Sequence, residues 1–173
     1  MIIKQLRDED FTNYRLPSMV VGFPSCTFKC EKECGCKGMC QNSELAISPE
    51  IEITPKAIVD RYMSNPISKA MVCGGLEPFD SFDDLIHLLA EFRSVTNDPF
   101  IIYTGYTKDE LKYMTYYTFW SHGKVEWSYL EQLQKFSNII IKFGRYIPNQ
   151  ELHYDEVLGI SLASSNQYAE KIS

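Results

Sequence analysis

Five of the six cysteines of this chain lie within residues 26–40, at Cys26, Cys30, Cys34, Cys36 and Cys40. Isolated cysteines behave as small apolar residues and scatter through protein cores, so this crowding indicates sulfur chemistry. The run follows the apolar segment 19–24, which predicts a buried strand that leads into a loop. Three kinds of chemistry suit such a loop: disulfide bonds, a zinc site or an iron–sulfur centre.

Disulfides fit the rest of the sequence least well. The N-terminal segment lacks the apolar core and cleavage site of a signal peptide. No apolar stretch reaches the ~18 residues that a bilayer crossing needs. We therefore expect a cytoplasmic protein with no membrane partner. Because disulfides are rare in the cytosol, we also expect no disulfide framework.

Zinc competes more closely with an iron–sulfur centre. Four thiolates would come from the pairs Cys30–Cys34 and Cys36–Cys40, each with three intervening residues. Only Gly35 separates the two pairs, whereas zinc sites usually place a longer hairpin there. An iron–sulfur cluster also binds cysteine thiolates, and three of them would leave one iron open. The loop by itself does not decide between the two.

The composition predicts one folded domain over residues 1–173. Hydrophobic residues make up 45% and aromatic residues 13% of the chain, and no linker or repeat divides it. The net charge of −6 and the lack of any long basic block argue against nucleic acid as a partner.

After the cysteine run, apolar strands alternate with amphipathic helices. Strands are predicted at Ala70–Cys73, Phe100–Tyr103 and Ile139–Phe143, and helices after Thr54, after Asp80 or Ser81, and after Thr107. A further helix is predicted over Glu126–Phe136. This alternation predicts an α/β fold with a mainly parallel sheet.

The stretch Tyr113–Trp120 is unusually aromatic. A packed helix face explains most of it, and an exposed patch that docks a partner is the alternative.

Ligands of parallel α/β sheets bind at the carboxyl ends of the strands. In this chain those ends would carry the cysteine loop, the segments 74–78 and 104–106, and Gly144 with Arg145. The pair Gly74–Gly75 forms an ordinary turn or lets the backbone approach a ligand without an intervening side chain. The Glu77 carboxylate can accept hydrogen bonds from an ammonium or ribose group.

Together these residues resemble a known family. A cysteine motif after a strand, followed by a strand that ends in Gly74-Gly75-Leu76-Glu77-Pro78, is similar to the radical S-adenosylmethionine superfamily. More narrowly, the segments Tyr103–Leu111, Phe143–Tyr146 and Leu162–Gln167 resemble parts of the activating enzymes of anaerobic (class III) ribonucleotide reductases. The similarity runs from the region of Met19 to the last residue.

The resemblance implies a partial (incomplete) α/β barrel with one 4Fe–4S cluster on three cysteines. It implies that S-adenosyl-L-methionine binds the fourth iron and is cleaved to a 5′-deoxyadenosyl radical by an electron from a donor such as flavodoxin or ferredoxin. The radical would take hydrogen from a glycine of the catalytic subunit of an anaerobic ribonucleotide reductase. A radical enzyme with another substrate and a non-catalytic zinc module remain alternatives.

The resemblance also suggests which cysteines bind the cluster. The family pattern is Cys-x3-Cys-x2-Cys, and Cys26 and Cys30 match its first half. The third ligand is then Cys34, after one inserted residue, or Cys40, after an inserted loop over residues 31–39. Because Cys40-Gln41-Asn42 resembles the Cys-aromatic-Asn that follows the family motif, Cys40 is the expected ligand. The remaining loop thiols, including Cys36, would be spare, and Cys73 would pack in its strand.

For S-adenosylmethionine, the resemblance implies contacts at two strand ends. Gly74, Gly75 and Glu77 would meet the methionyl amino group, Pro78 would set the loop, and Tyr103, Thr104 and Gly105 would reach the ribose or the carboxylate; for Tyr103 a core aromatic is the alternative.

Other polar residues have less defined roles. Arg145 could pair with a carboxylate, although Phe143 stands where the family often has Asp. Asn166 and Gln167 would contact the cofactor or form a polar tail. The three histidines, at positions 87, 122 and 153, show no ligand spacing and are expected at the surface or its boundary.

Overall fold

The computed structural model describes residues 1–35, 37–120 and 123–173, with the backbone alone for residues 116–120 and 123–126. The described strands are β1 (Ile2–Ile3), β2 (Gln5–Asp10), β3 (Ser18–Phe23), β4 (Ile51–Glu52), β5 (Ala70–Gly75), β6 (Phe100–Tyr103), β7 (Thr115–Trp120), β8 (Gly123–Ser128), β9 (Ile139–Phe143), β10 (His153–Asp155), β11 (Ile160–Leu162) and β12 (Tyr168–Lys171). The described helices are α1 (Lys29–Cys34), α2 (Ser43–Ile47), α3 (Pro55–Ser64), α4 (Phe82–Val95), α5 (Lys108–Tyr113) and α6 (Tyr129–Leu133), with a 3₁₀ turn at Pro78–Ser81.

A mixed six-stranded sheet in the order β12-β9-β6-β5-β3-β2 organises this α/β fold. The four central strands β3, β5, β6 and β9 are parallel to one another. The edge strands β2 and β12 pair antiparallel to their neighbours. The carboxyl ends of the four parallel strands therefore lie along one edge of the sheet.

The sheet buries apolar side chains on both faces. On the first, here called the helix face, residues such as Val21 pack with the apolar sides of α3, α4, α5 and α6. On the second, here called the pocket face, Val72 and Ile140 cluster with Leu158 and Leu162 from the C-terminal region. Strands buried on both faces explain the continuous apolar runs in the sequence.

Three helices start at the caps that their sequences provide. The Thr54 hydroxyl accepts from the Ala57 N–H ahead of α3, with Pro55 in the first turn. The capping box of Thr107 and Glu110 opens α5, as predicted. A second capping box, which the sequence analysis missed, joins Ser128 and Glu131 and opens α6.

The predicted helix over Glu126–Phe136 is wrong in its bounds. Strand β8 continues to Ser128, and helix α6 covers only Tyr129–Leu133. The cap at Ser128 fixes that start, because its hydroxyl satisfies the Glu131 N–H of the first turn.

The predicted helix face over Tyr113–Trp120 is also wrong, because α5 ends at Tyr113 and Thr115–Trp120 form β7, paired antiparallel with β8. Aromatic and β-branched residues favour extended backbone, and this preference outweighed the helical interpretation. Tyr113 is 85% exposed, whereas the side chains of residues 116–120, together with His122 and Cys36, lie outside the described residues. The docking patch therefore stays a prediction.

The expectations for three single residues agree with the structure. Cys73 is fully buried in the helix-face core, His87 is exposed and His153 lies at the boundary. Within the described part of the chain, no helix has both the length and the apolar composition to cross a membrane.

Arg93 fastens the amino-terminal edge of the sheet. Its guanidinium donates to the backbone carbonyls of Ser137 at 2.7 Å, Asp98 at 2.8 Å, Asn138 at 3.0 Å and Thr96 at 3.3 Å. One side chain thus ties the end of α4 to the chain entering β6 and β9.

We predict that Arg93→Met lowers the free energy of unfolding by about 1–3 kcal/mol, because several carbonyls lose a charged donor. Chemical denaturation monitored by circular dichroism measures the change. Arg61→Met is the matched control, since Arg61 is exposed and, among the described residues, its guanidinium pairs with Asp8 alone, and we expect it to cost much less. Equal losses in both variants would contradict the role given to Arg93.

Candidate functional site

A cavity of about 550 Å³ opens at the carboxyl ends of the parallel strands. Of the residues expected to bind the cluster or to contact S-adenosylmethionine at the two strand ends, all except Pro78 line it: Cys26, Cys30, Cys40, Gly74, Gly75, Glu77, Tyr103, Thr104 and Gly105. Pro78 is buried and begins the 3₁₀ turn behind the wall. The topology therefore gathers residues that are far apart in the sequence into one cavity.

The cysteine loop presents three thiols to the cavity. Cys26, Cys30 and Cys40 are half-buried in its wall, whereas Cys34 is exposed on α1, is not part of the wall, and directs its thiol to the Glu31 carbonyl. Burial raises the pKa of Cys26 to about 11. Burial, followed by the neighbouring Cys40, also raises the pKa of Cys30. Both groups are neutral thiols at pH 7, so they would become thiolates only on a bound cation.

Three thiols on the wall of one cavity are the donor type that an iron–sulfur cluster or a zinc ion takes. Among residues 1–35, 37–120 and 123–173, no three His, Cys, Asp or Glu side chains converge closely enough to hold a single metal ion. Cys36, which the zinc alternative needs, lies outside the described residues.

The loop is fastened to the sheet edge by its own polar groups. The Asn42 amide donates to the Gly75 carbonyl at 2.6 Å, and the Thr27 N–H donates to the Asp80 carboxylate at 2.9 Å. Within the loop, the Cys40 N–H donates to the Glu31 carboxylate at 3.2 Å. These bonds hold both ends of the inserted segment close to the cavity.

Gly75 is required by its surroundings. Its φ is +77°, and a Cβ there would lie 2.6 Å from Leu45 Cδ2 and 3.0 Å from Gly22 Cα. A side chain at this position would be strained and would crowd the Gly22 backbone and the Leu45 side chain of α2. The glycine thus allows the cysteine loop to seat on β5.

Glu77 joins the ends of β5 and β6. Its carboxylate accepts from the Thr104 hydroxyl at 2.8 Å, the Gly105 N–H at 2.8 Å and the Phe79 N–H at 3.2 Å. Burial raises the pKa of Glu77 to about 7 despite these donors. Glu77, which was predicted to contact a ligand, therefore also links the two strand ends. Among the described residues, its Oε2 atom accepts one hydrogen bond, from the Gly105 N–H.

Tyr103 and Lys142 form the side of the cavity above β6 and β9. They are register partners on the pocket face, and Gly74 lies beside Tyr103 on the next strand. The Tyr103 hydroxyl donates to the Asn13 carbonyl, and the Lys142 ammonium donates to the Gly144 carbonyl at 2.9 Å. Lys142 was not predicted as a site residue, although it is a single charge in the apolar run Ile139–Phe143.

Arg145 is engaged by protein carboxylates. Its guanidinium makes a bidentate pair with Glu110 at 2.7 and 2.9 Å, and its Nε lies 3.4 Å from Glu33 of α1. The pair with Arg145 lowers the pKa of Glu110 to about 2. Lys29 of α1 lies 3.6 Å from Glu110, so this network also holds the cysteine loop against α5.

The C-terminal segment makes hydrogen bonds to the backbone that follows β9. Gln167 is buried and donates to the Gly144 carbonyl at 3.3 Å, and the Asn166 amide donates to the Arg145 carbonyl at 2.8 Å. Gly144 has φ +96°, and a Cβ there would lie 2.8 Å from the Asn166 carbonyl. Both side chains therefore shape the backbone here, although Gln167 also lines the cavity.

The N-terminal region contributes polar residues that the sequence analysis did not identify. Gln5 and Arg7 of β2, with Thr12 and Asn13 after it, line the cavity. Arg7 is paired with the buried Asp10 at 3.0 Å. No sequence motif marked them, because only the antiparallel pairing of β2 with β3 brings them to the site.

Comparisons with known proteins give no relative. The chain matches no family model, and searches of curated proteins and of solved structures also find no match. What the cavity does must therefore be inferred from its residues and from the motifs in the sequence.

We predict that Glu77→Gln alters how stability depends on pH. The folded-state pKa of about 7 exceeds the unfolded value of about 4.3, so the wild type loses stability as pH rises through this window. Glutamine has nearly the same shape as glutamate but does not titrate. The free energy of unfolding of the variant, relative to that of the wild type, should therefore rise by about 3 kcal/mol between about pH 4 and pH 8. Denaturant unfolding across this range measures the difference.

Glu110→Gln is the control, because the pKa of Glu110 is shifted down and that of Glu77 is shifted up. The lowered pKa of Glu110 gives stability that is present above about pH 4.3 and is lost as pH falls towards 2. The stability difference between this variant and the wild type should therefore be flat between about pH 5 and pH 8. A flat difference for Glu77→Gln as well would refute the buried-carboxylate account.

Proposed function

We propose that this chain is a radical S-adenosylmethionine activase built on a partial α/β barrel. It would hold one 4Fe–4S cluster on Cys26, Cys30 and Cys40, bind S-adenosyl-L-methionine beside it, and generate a glycyl radical on an anaerobic ribonucleotide reductase. The strongest support is that these thiols line the same cavity as Gly74–Gly75 and the segment 103–105. The motifs that carry the family resemblance thus meet at one place.

The placement of the thiols favours Cys40 over Cys34 as the third ligand. Cys40 lines the cavity with Cys26 and Cys30, whereas Cys34 is exposed on α1. The inserted residues 31–39 would then form a loop outside the ligand set. Asn42, two residues after Cys40, holds this arrangement through the Gly75 carbonyl.

The bound groups would supply one-electron reductive cleavage of the sulfonium, ending in hydrogen removal from a partner glycine. The chain's own residues bind and orient. Gly74 and Gly75 leave the β5 end without side chains, so that an amino-acid moiety can approach the backbone. Glu77 Oε2 keeps capacity for an ammonium donor while it holds the Gly105 N–H.

The anchoring bonds of the loop have a second use. Because Thr27, Asn42 and Glu33 tie the loop to the body of the protein, the three thiols are held in position in the cavity wall before anything binds.

We predict that anaerobic reconstitution with iron and sulfide gives brown protein that forms 5′-deoxyadenosine after dithionite reduction. Cys26→Ala, Cys30→Ala and Cys40→Ala should each lose the product, because each removes a thiolate that the cluster needs. Cys34→Ala is the matched control from the same loop and should keep it. Iron analysis and liquid chromatography give the two readouts.

Two outcomes would contradict parts of this proposal. Loss in Cys34→Ala with retention in Cys40→Ala would keep the chemistry and overturn the ligand assignment. Colourless, zinc-containing protein without product under all conditions would refute the activase and support a metal module.

The partner is tested separately. Mixing the reduced protein and S-adenosylmethionine with the catalytic subunit of an anaerobic ribonucleotide reductase should produce the electron paramagnetic resonance signal of a glycyl radical. Formation of 5′-deoxyadenosine without that signal would indicate a radical enzyme with another substrate. The electron donor in the cell would be a flavodoxin or ferredoxin.

A further inference from the structure

Lys142 is a buried cation in the wall of the cavity. Lys142 is 7% exposed and lies on the pocket face of β9, beside Tyr103. The ammonium carries three hydrogen-bond donors, and the Gly144 carbonyl, at 2.9 Å, is the one acceptor that the described residues offer within bonding distance. Two donors therefore have no protein acceptor among these residues.

The other three cations of the cavity wall are already neutralised. Arg7 lies 3.0 Å from Asp10, Lys29 lies 3.6 Å from Glu110, and Arg145 makes its bidentate pair with the same Glu110. These pairs leave little reason for them to attract a further anion.

Lys142 differs from them, because no carboxylate of the described residues lies within 4.0 Å of its Nζ. Glu77, the carboxylate in the cavity wall, is bonded to two N–H groups and a hydroxyl instead. Burial lowers the pKa of Lys142 to about 8, so the group is still mostly charged at pH 7. A buried charge without a counter-ion is costly to the folded protein.

We propose that Lys142 binds the carboxylate of the S-adenosylmethionine amino-acid moiety and makes the cavity selective for ligands with that anion. This inference rests on the proposed function. It assigns to Lys142 the charge pairing that the sequence suggested for Arg145, which Glu110 and Glu33 occupy in the structure. Because Lys142 is itself buried, a charge-assisted bond to its ammonium is stronger than one to an exposed lysine.

The test compares two ligands on four proteins, all reconstituted with iron and sulfide and kept oxidised. Anaerobic calorimetry measures the affinity of S-adenosylmethionine and of its decarboxylated analogue for the wild type, Lys142→Met, Arg145→Met and Lys56→Met. Lys56 is exposed on α3 and pairs with Asp60, so it is the surface control. The affinity ratio of the two ligands isolates the carboxylate from every other contact.

We expect the ratio to fall by about tenfold to a hundredfold in Lys142→Met, and to stay at the wild-type value in Lys56→Met. An unchanged ratio in Lys142→Met would overturn the assignment, and a fall in Arg145→Met alone would transfer the carboxylate to Arg145. If the wild type bound neither ligand, the proposed function would fail together with this inference.

A measurement on the wild type covers the case in which Lys142→Met does not fold. Reductive methylation with formaldehyde, followed by mass spectrometry, reports the reactivity of each lysine. S-adenosylmethionine should protect Lys142 several-fold more than the decarboxylated analogue, because only the former offers it an anion. Equal protection by both ligands would overturn the proposal.

Discussion

The buried carboxylate of Glu77 is the contact on which the site depends. It is the acceptor that joins the turn after β5 to the end of β6, through Phe79, Thr104 and Gly105. The same turn carries Asp80, which accepts from the cysteine loop and from Tyr106. If the Glu77 carboxylate were lost, two strand ends and the entry to the cysteine loop would lose their common anchor. Its burial is costly, as the raised pKa of this group shows.

Charge is distributed unevenly in this molecule. The chain carries a net charge of −6, yet its cavity wall contains Arg7, Lys29, Lys142 and Arg145 against one carboxylate. Pairing with carboxylates outside the wall makes Lys29 and Arg145 into links between α1, α5 and the end of β9, whereas Arg7 pairs within its own strand, β2. Because Arg7, Lys29 and Glu33 are about half exposed, these pairs contribute little stability, and those of Lys29 and Arg145 serve to position the loop. The cation left without such a pair is the one that can respond to a ligand.

The local sequence predicted the parts of the fold that obey local rules. The apolar runs of β3, β5, β6 and β9 and the capping box at Thr107 lie where their patterns indicated. The hairpin of β7 and β8 was mistaken for helix because aromatic residues suit both, and cross-strand pairing decides between them. The roles of Lys142 and Arg145 could not be predicted, since they depend on carboxylates that only the tertiary structure brings near or keeps away.

The most direct test of the account is an anaerobic crystal structure of reconstituted protein with S-adenosylmethionine, phased with iron anomalous scattering. We predict an anomalous peak of cluster size between Cys26, Cys30 and Cys40, with ligand density over Gly74 and Gly75. A zinc peak on Cys30, Cys34, Cys36 and Cys40, with no ligand in the cavity, would contradict it.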